Sequence, residues 1–145
     1  MWDLTDDRFY VRVGRFEMPW AVTYADTRPG HTDREKRERI REAAAMAFTG
    51  APIEIKQWAF RVLVRKAGRR AFDIENVPKL IVDAFCMRQI SADDSRYPYL
   101  ALYEDDTIDH VVVLQVAGER VVEAESTVVE IFGRRPENPN SQSAG

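Results

Sequence analysis

Two short clusters, Asp73-Ile74-Glu75-Asn76-Val77-Pro78-Lys79 and Glu104-Asp105-Asp106, hold the residue types from which phosphodiester chemistry is built. Brought together, their carboxylates offer hard oxygen ligands to Mg2+, which takes near-octahedral coordination at roughly 2.0–2.1 Å and usually keeps several waters. A cation held in this way activates water and stabilises charge on the attacked phosphate and the leaving oxygen. Lys79 adds an ammonium that stabilises the transition state or protonates the leaving group through water. Neither histidine nor thiolate is needed. His31 falls in a loop and His110 in a strand without a spaced partner, and Cys86 is the single cysteine.

The elements that must position these residues are legible around them. The first cluster follows a run rich in β-branched and aromatic residues and precedes an apolar helical pattern, which marks a strand-to-helix junction. Pro78 belongs in a first helical turn, where a missing N–H costs little, so the helix is expected to start near Glu75 or Asn76. Val77, Ile81, Ala84 and Phe85 then face the core at helical spacing, while Glu75 and Lys79, four apart, share a face beside Asn76. Asp73 projects from the end of the incoming strand. The second cluster follows Pro98-Tyr99 and opens a strand from Thr107 to Val116, placing its carboxylates at the mouth of a sheet.

The order Arg69-Arg70, Asp73-x-Glu75-Asn76-x-x-Lys79, Asp83-Ala84, then Tyr103-Glu104-Asp105-Asp106 leading into a Val-rich strand resembles the RusA family of Holliday-junction resolvases. The resemblance covers about 69–116 in detail and the order of elements elsewhere. It implies a small homodimeric, Mg2+-dependent endodeoxyribonuclease of DNA recombination and repair that cuts four-way junctions with paired nicks, Mn2+ being a possible substitute. Carried over position by position, it implies Asp73, Glu75 and Asp106 as metal ligands, Lys79 as the catalytic cation, and Asn76 and Asp105 as supporting residues. Two copies would set two sites side by side, matching the symmetry of a four-way junction.

Simpler roles exist for each residue alone. Asp73, Glu75 and Asn76 suit the start of a helix as caps and as acids near the positive end of its dipole. Asp105-Asp106 suits a turn. Lys79 suits a surface pair with Glu75, worth about 0.3–0.5 kcal/mol. The acidic net charge, Glu75 where the family has aspartate, Pro78, and the longer 86–101 link with its own Asp93-Asp94 pair motivate a second expectation. That is a catalytically inactive protein of the same fold that binds branched DNA, or a protein partner through Tyr97-Pro98-Tyr99. A third is an acidic interaction domain without a DNA role.

Net charge is -3, which excludes a general DNA-coating protein, since a basic surface supplies that affinity by counterion release. The charge is nevertheless uneven. Between Glu54 and Asp73 there is no acid, yet Lys56, Arg61, Arg65, Lys66, Arg69 and Arg70 occur. Arg65, Lys66, Arg69 and Arg70 are the candidate DNA-phosphate contacts, with Arg69 and Arg70 nearest the site in sequence.

Hydrophobic residues at 45% and charged residues at 31% describe an ordinary globular chain, with no stretch apolar enough to cross a bilayer. The acidic start Met1-Trp2-Asp3-Leu4-Thr5-Asp6-Asp7 lacks the positive region of a signal peptide. With one cysteine, neither an intramolecular disulfide nor a cysteine-based zinc site is expected, and a reducing cytoplasm fits.

Elsewhere, Phe9, Val11 and Val13 alternate, as do Phe16, Met18 and Trp20, predicting a strand or hairpin split near Gly14. Residues 24–31 with Pro29-Gly30 form a loop. Thr32 and Glu35 make a capping-box pattern for a helix that buries Ile40, Ala43, Ala44, Ala47 and Phe48 and ends at Gly50. Its other face, Arg34, Lys36, Arg37, Glu38, Arg39 and Arg41, reads as solvated surface with an auxiliary DNA contact. Apolar parity switches between Ile53, Ile55 and Trp58, Phe60, Val62, Val64, which predicts a bulge near Lys56-Gln57. Ile108 to Val116 and Arg120 to Phe132, joined near Gly118, read as a β-hairpin. The whole predicts one α+β domain over 1–133, a mixed sheet with helices on one face in the RusA manner, and a disordered tail over 134–145.

Overall fold

Alternation of apolar side chains over Trp58, Phe60, Val62 and Val64 and over Thr127, Val129 and Ile131 creates two strands that each bury one whole edge of their pleat. They lie side by side, Phe60 opposite Ile131 and Val62 opposite Val129, and form the centre of the sheet. The computed structural model describes residues 2–48 and 54–136. In chain order the elements are β1 (Tyr10–Met18), α1 (Asp33–Ala45), β2 (Trp58–Ala67), α2 (Asn76–Ala84), α3 (Met87–Ala92), a 3-10 turn (Pro98–Leu100), β3 (Val111–Val121) and β4 (Ser126–Arg134). The four strands lie in the order β1-β4-β2-β3, with β2 and β3 parallel and the other pairs antiparallel. This is a single-domain α+β fold with a mixed sheet.

One face of the sheet carries the helices. Ile40 and Ala44 of α1 and Val77, Leu80 and Ile81 of α2 share a core with Phe16, Phe60, Val62 and Val129. Phe85 sits between the layers, its ring 6.1 Å from Phe60 and 6.2 Å from Phe16. On the opposite face a smaller cluster of Leu4, Tyr10, Ala59, Val113 and Phe132 is covered by the N-terminal segment.

The predicted β-hairpin of the last two strands does not form. β3 pairs in parallel with β2, and β4 crosses to the far side of β2. Burial explains the choice: β4 buries Thr127, Val129 and Ile131 on one face and Phe132 on the other, where Glu130 is paired by Arg12 and Arg61, so a central position suits it. The second half of β3 exposes Ala117, Gly118, Glu119 and Arg120, as an edge strand should. Glu125 fastens the crossing, its carboxylate accepting from both the Ala67 N–H and the Lys66 ammonium at the end of β2.

Near Gly14 there is one strand rather than a hairpin. The parity change is a register shift between Arg12 and Gly14 within β1. A Cβ at Gly14 would lie 2.8 Å from the Phe48 ring, so close approach of that ring accounts for the glycine. The slip foreseen near Lys56-Gln57 falls slightly later, between Trp58 and Ala59 against β3. The expected helix end at Gly50 and strand start at Ile53 lie outside the described residues, but α1 itself stops at Ala45 and leaves Ala47 exposed. β4 runs on through Arg134, and the Arg135 N–H bonds the Phe9 carbonyl, so the chain is tied to the sheet past residue 133. The tail beyond Pro136 lies outside the described residues.

Thr32 caps α1 as the sequence pattern predicts, accepting from the Glu35 N–H at 3.2 Å, while the Glu35 carboxylate turns to Arg34. Thr32→Ala is expected to cost about 1 kcal/mol, read as a lower urea midpoint with an unchanged slope.

The charged face of α1 is where periodicity misled most. Arg41 is 0% exposed and Glu38 6%. Asp93, at the end of α3 and 5% exposed, receives Arg37 at 2.7 and 2.8 Å and Arg41 at 3.0 Å, and its carbonyl accepts from Arg34. Glu38 accepts from the Ser95 hydroxyl and the Arg96 N–H. Arg37, Glu38 and Arg41 therefore form a buried ionic seam that clamps the 86–101 link, because that link supplies the carboxylate the arginines need, while Arg34 and Arg39 stay on the exposed surface as expected.

Candidate functional site

A turn leads into α2, with Asn76 N–H bonding Asp73 O at 3.2 Å and Val77 N–H bonding Ile74 O at 3.1 Å. The helix begins at Asn76, as Pro78 in the first turn predicts, and Val77, Ile81, Ala84 and Phe85 are all buried. Asp73 lies in this turn, beyond the end of β2 at Ala67. Ile74 packs over β3, where a Cβ on Gly118 would meet its Cδ1 at 3.2 Å. Together they border a cavity of about 240 Å³ that Val64, Lys66, Phe72, Glu119 and Arg120 also line. Ile74 thus leans on β3 while still partly open to solvent, and its neighbours Asp73 and Glu75 are exposed.

Capping does not explain these acids. Glu75 at the N-cap makes no side-chain cap bond, and among the described residues neither the Asp73 nor the Glu75 side chain enters a hydrogen bond or ion pair. Their charge is uncommitted.

The second cluster is brought in by backbone pairing at the far end of α2. Cys86 and Tyr103 form a parallel bridge, Leu102 N–H bonds Phe85 O at 3.0 Å, and Met87 N–H bonds Tyr103 O at 2.8 Å. Tyr103 also gives its hydroxyl proton to the Val82 carbonyl, and the Cys86 thiol donates to Glu104 O. Brought near by the backbone pairing of 85–87 with 102–103, Asp106 Oδ2 reaches Lys79 Nζ at 2.8 Å across 27 positions of sequence. The acids stand a turn ahead of the sheet, since β3 begins at Val111 rather than at Thr107.

Lys79 does not pair with Glu75. Its ammonium lies between Asp106 and Asp83, the latter at 3.3 Å. The hydrogen bond to Asp106 raises the Lys79 pKa against the opposing effect of burial, and Asp83 adds to the rise. The same bond holds the Asp106 carboxyl below its ordinary value. Both groups therefore stay charged through neutral pH. Asp105 accepts the Asp106 N–H at 2.9 Å and lies 3.6 Å from Arg88. The competing pair Asp93-Asp94 is no rival, because Asp93 is committed to the arginine seam.

Half of the basic run has acidic partners. Arg61 pairs with Glu130, Arg65 with Glu119 and Lys66 with Glu125, so of the candidate phosphate contacts Arg65 and Lys66 already have acidic partners. Arg69 and Arg70 are exposed, and their guanidinium groups make no pair among the described residues. Arg120 shapes their turn by donating to Gly68 O and Arg70 O.

As a donor set, Asp73, Glu75 and Asp106 are hard oxygens of the kind Mg2+ prefers. They are not assembled, however: among the described residues no three Asp, Glu, His or Cys side chains gather closely enough to hold a metal ion. Sequence reading gave Asp83 no role beyond a place in the family's order, Tyr24 none beyond a loop, and Arg37 only solvated surface or an auxiliary DNA contact. Tyr24 gives its hydroxyl proton to Asp83 and accepts from Arg37 at 3.1 Å. The spacing of Lys79 and Asp83, four apart on a helix, was the available signal for the first. No local signal marked the other two.

Among the described residues no helix is long and apolar enough to cross a membrane. Compared with known proteins, the chain matches no family model and no curated protein.

Proposed function

We propose that the chain is a Mg2+-dependent, structure-selective endodeoxyribonuclease that acts as a homodimer on four-way DNA junctions, as the likeness to RusA-family resolvases suggests. The observation that carries this reading is the Lys79–Asp106 pair. Two clusters singled out for phosphodiester chemistry meet at that point, although neither needs the other to fold locally. The uncommitted Asp73 and Glu75, one turn away along the same segment, add to its support.

The reaction is hydrolysis: a water oxygen bonds to phosphorus, the bond to one sugar oxygen breaks, and that oxygen takes up a proton. Lys79 supplies positive charge beside the phosphate, where negative charge grows. Arg69 and Arg70 contact backbone phosphates and position the strand without reading its sequence. A bound Mg2+ would supply Lewis acidity and a more acidic water.

A second reading is favoured by one specific observation: among the described residues no three carboxylates gather closely enough to hold a metal ion. Such a protein binds branched DNA or a protein partner and cleaves nothing. Incubating the full chain with labelled four-way, forked and linear DNA, in Mg2+, Mn2+ or EDTA, separates the two. The nuclease reading expects nicks in four-way DNA that require the divalent ion. Retardation of branched DNA without nicks under either metal overturns it in favour of the second reading, and the absence of both overturns the nuclease and the branched-DNA readings and leaves the protein partner.

A further inference from the structure

We propose that Tyr24 and Asp83 are positioning residues for the Lys79 ammonium: the Tyr24 hydroxyl, held by Arg37, donates to one oxygen of Asp83 and leaves the other to hold Lys79 against Asp106. The inference rests on the reading of Lys79 and Asp106 as the reactive pair.

The Lys79 side chain is 60% exposed, whereas that of Asp83 is only 14% exposed. A lysine so open to solvent would ordinarily range over many rotamers. Helix energetics do not account for its contact with Asp83. An acid placed C-terminal to the lysine is the less favourable order for a pair four apart. What fixes Asp83 is the tyrosine, whose hydroxyl meets Oδ2 and leaves Oδ1 to the ammonium.

Tyr24 is itself tied on three sides. Its N–H bonds the Asn76 carbonyl at 3.3 Å, its carbonyl accepts from Lys36 Nζ at 2.8 Å, and its hydroxyl accepts from Arg37 at 3.1 Å. Arg37 in turn grips the buried Asp93 with two hydrogen bonds. Burial, reinforced by the bond to Asp83, raises the Tyr24 pKa, so the hydroxyl remains a donor at any working pH. A continuous series of contacts therefore runs from the ionic seam under α1 to an exposed ammonium. Rigid support of this kind is what a charge-stabilising group requires, since its placement must precede the reaction.

The test uses the full chain with Tyr24→Phe and Asp83→Asn, and with Tyr103→Phe as control. That control removes another hydroxyl bond to the same helix, from Tyr103 to the Val82 carbonyl, without touching Asp83. Two readouts are taken. Nitrogen-edited NMR of the lysine ammonium groups, with the Lys79 signal assigned by its loss in Lys79→Arg, reports whether the ammonium is held. Single-turnover nicking and junction retardation report rate and binding separately. The expected result is a Lys79 signal that is sharp in the native chain and in Tyr103→Phe but broadened or absent in Tyr24→Phe and Asp83→Asn. Nicking should then fall about tenfold in those two variants with junction affinity unchanged. A Lys79 signal that survives both substitutions, or that is absent from the native chain, overturns the inference. If the native protein nicks no DNA at all, the nuclease reading fails instead, and the ammonium signal still decides the positioning role.

Discussion

Asp93→Ala is expected to lower the free energy of unfolding by about 3–5 kcal/mol, because it leaves the fully buried Arg41 and the mostly buried Arg37 without their shared counter-charge. Urea unfolding of the two proteins measures this directly. The loss exceeds that of an ordinary surface ion pair because Arg41, left with Glu38 at 3.4 Å as its remaining carboxylate, cannot regain water where it lies. Arg41→Met should also destabilise, since it leaves Asp93 and Glu38 short of a partner. The double variant should cost less than the sum of the two, as expected for groups in one network. Additive effects would mean that Arg41 and Asp93 act independently, against the geometry of the seam.

The same carboxylate sets a pH dependence. Burial pushes the Asp93 pKa up, but the hydrogen bonds from Arg37 and then Arg41, with their charges, outweigh it and hold the group below its ordinary value. A depressed folded-state value contributes stability that is complete above the unfolded pKa of about 3.9 and is lost as pH falls through the folded value. The native chain should accordingly lose stability on acidification below about pH 4, and Asp93→Ala should lose less over the same interval. Equal acid sensitivity in the two proteins would assign the transition to other carboxylates.

Asp106→Asn is expected to reduce nicking of four-way DNA by about 10²-fold or more while junction binding persists or tightens. Asparagine keeps the volume and still offers an oxygen to Lys79, and the site is partly exposed, so the fold is not at risk. What changes is charge. A carboxylate that would ligate a cation becomes a neutral amide, and one repulsion against the phosphate backbone disappears. Single-turnover cleavage and gel retardation on the same preparations separate rate from affinity. Cleavage at the native rate would remove Asp106 from the chemistry, and with it the role of the pair it makes with Lys79.

The sequence by itself determined what depends on neighbours within a turn or two. α2 begins at Asn76 and buries Val77, Ile81, Ala84 and Phe85 because the proline and the apolar spacing act locally. Thr32 caps α1, and alternation over Trp58, Phe60, Val62 and Val64 marks the inner face of β2, for the same reason. The candidate pair Lys79 and Asp106 was also legible, though only as two separate clusters.

Tertiary structure decided the rest, since no local rule selects partners 50 or 60 positions away. Which strand takes an inner position depends on how much of it can be buried, so β4 lies between β1 and β2 while β3 pairs with the other side of β2, and the expected hairpin does not form. Whether an arginine is surface or core depends on whether a carboxylate arrives from elsewhere, and Asp93 did so for Arg37 and Arg41. The same dependence took Arg65 and Lys66 out of the free basic run and let Tyr24 reach Asp83. A buried charge is stable only where its partner is also buried, and that condition is met in space rather than in sequence.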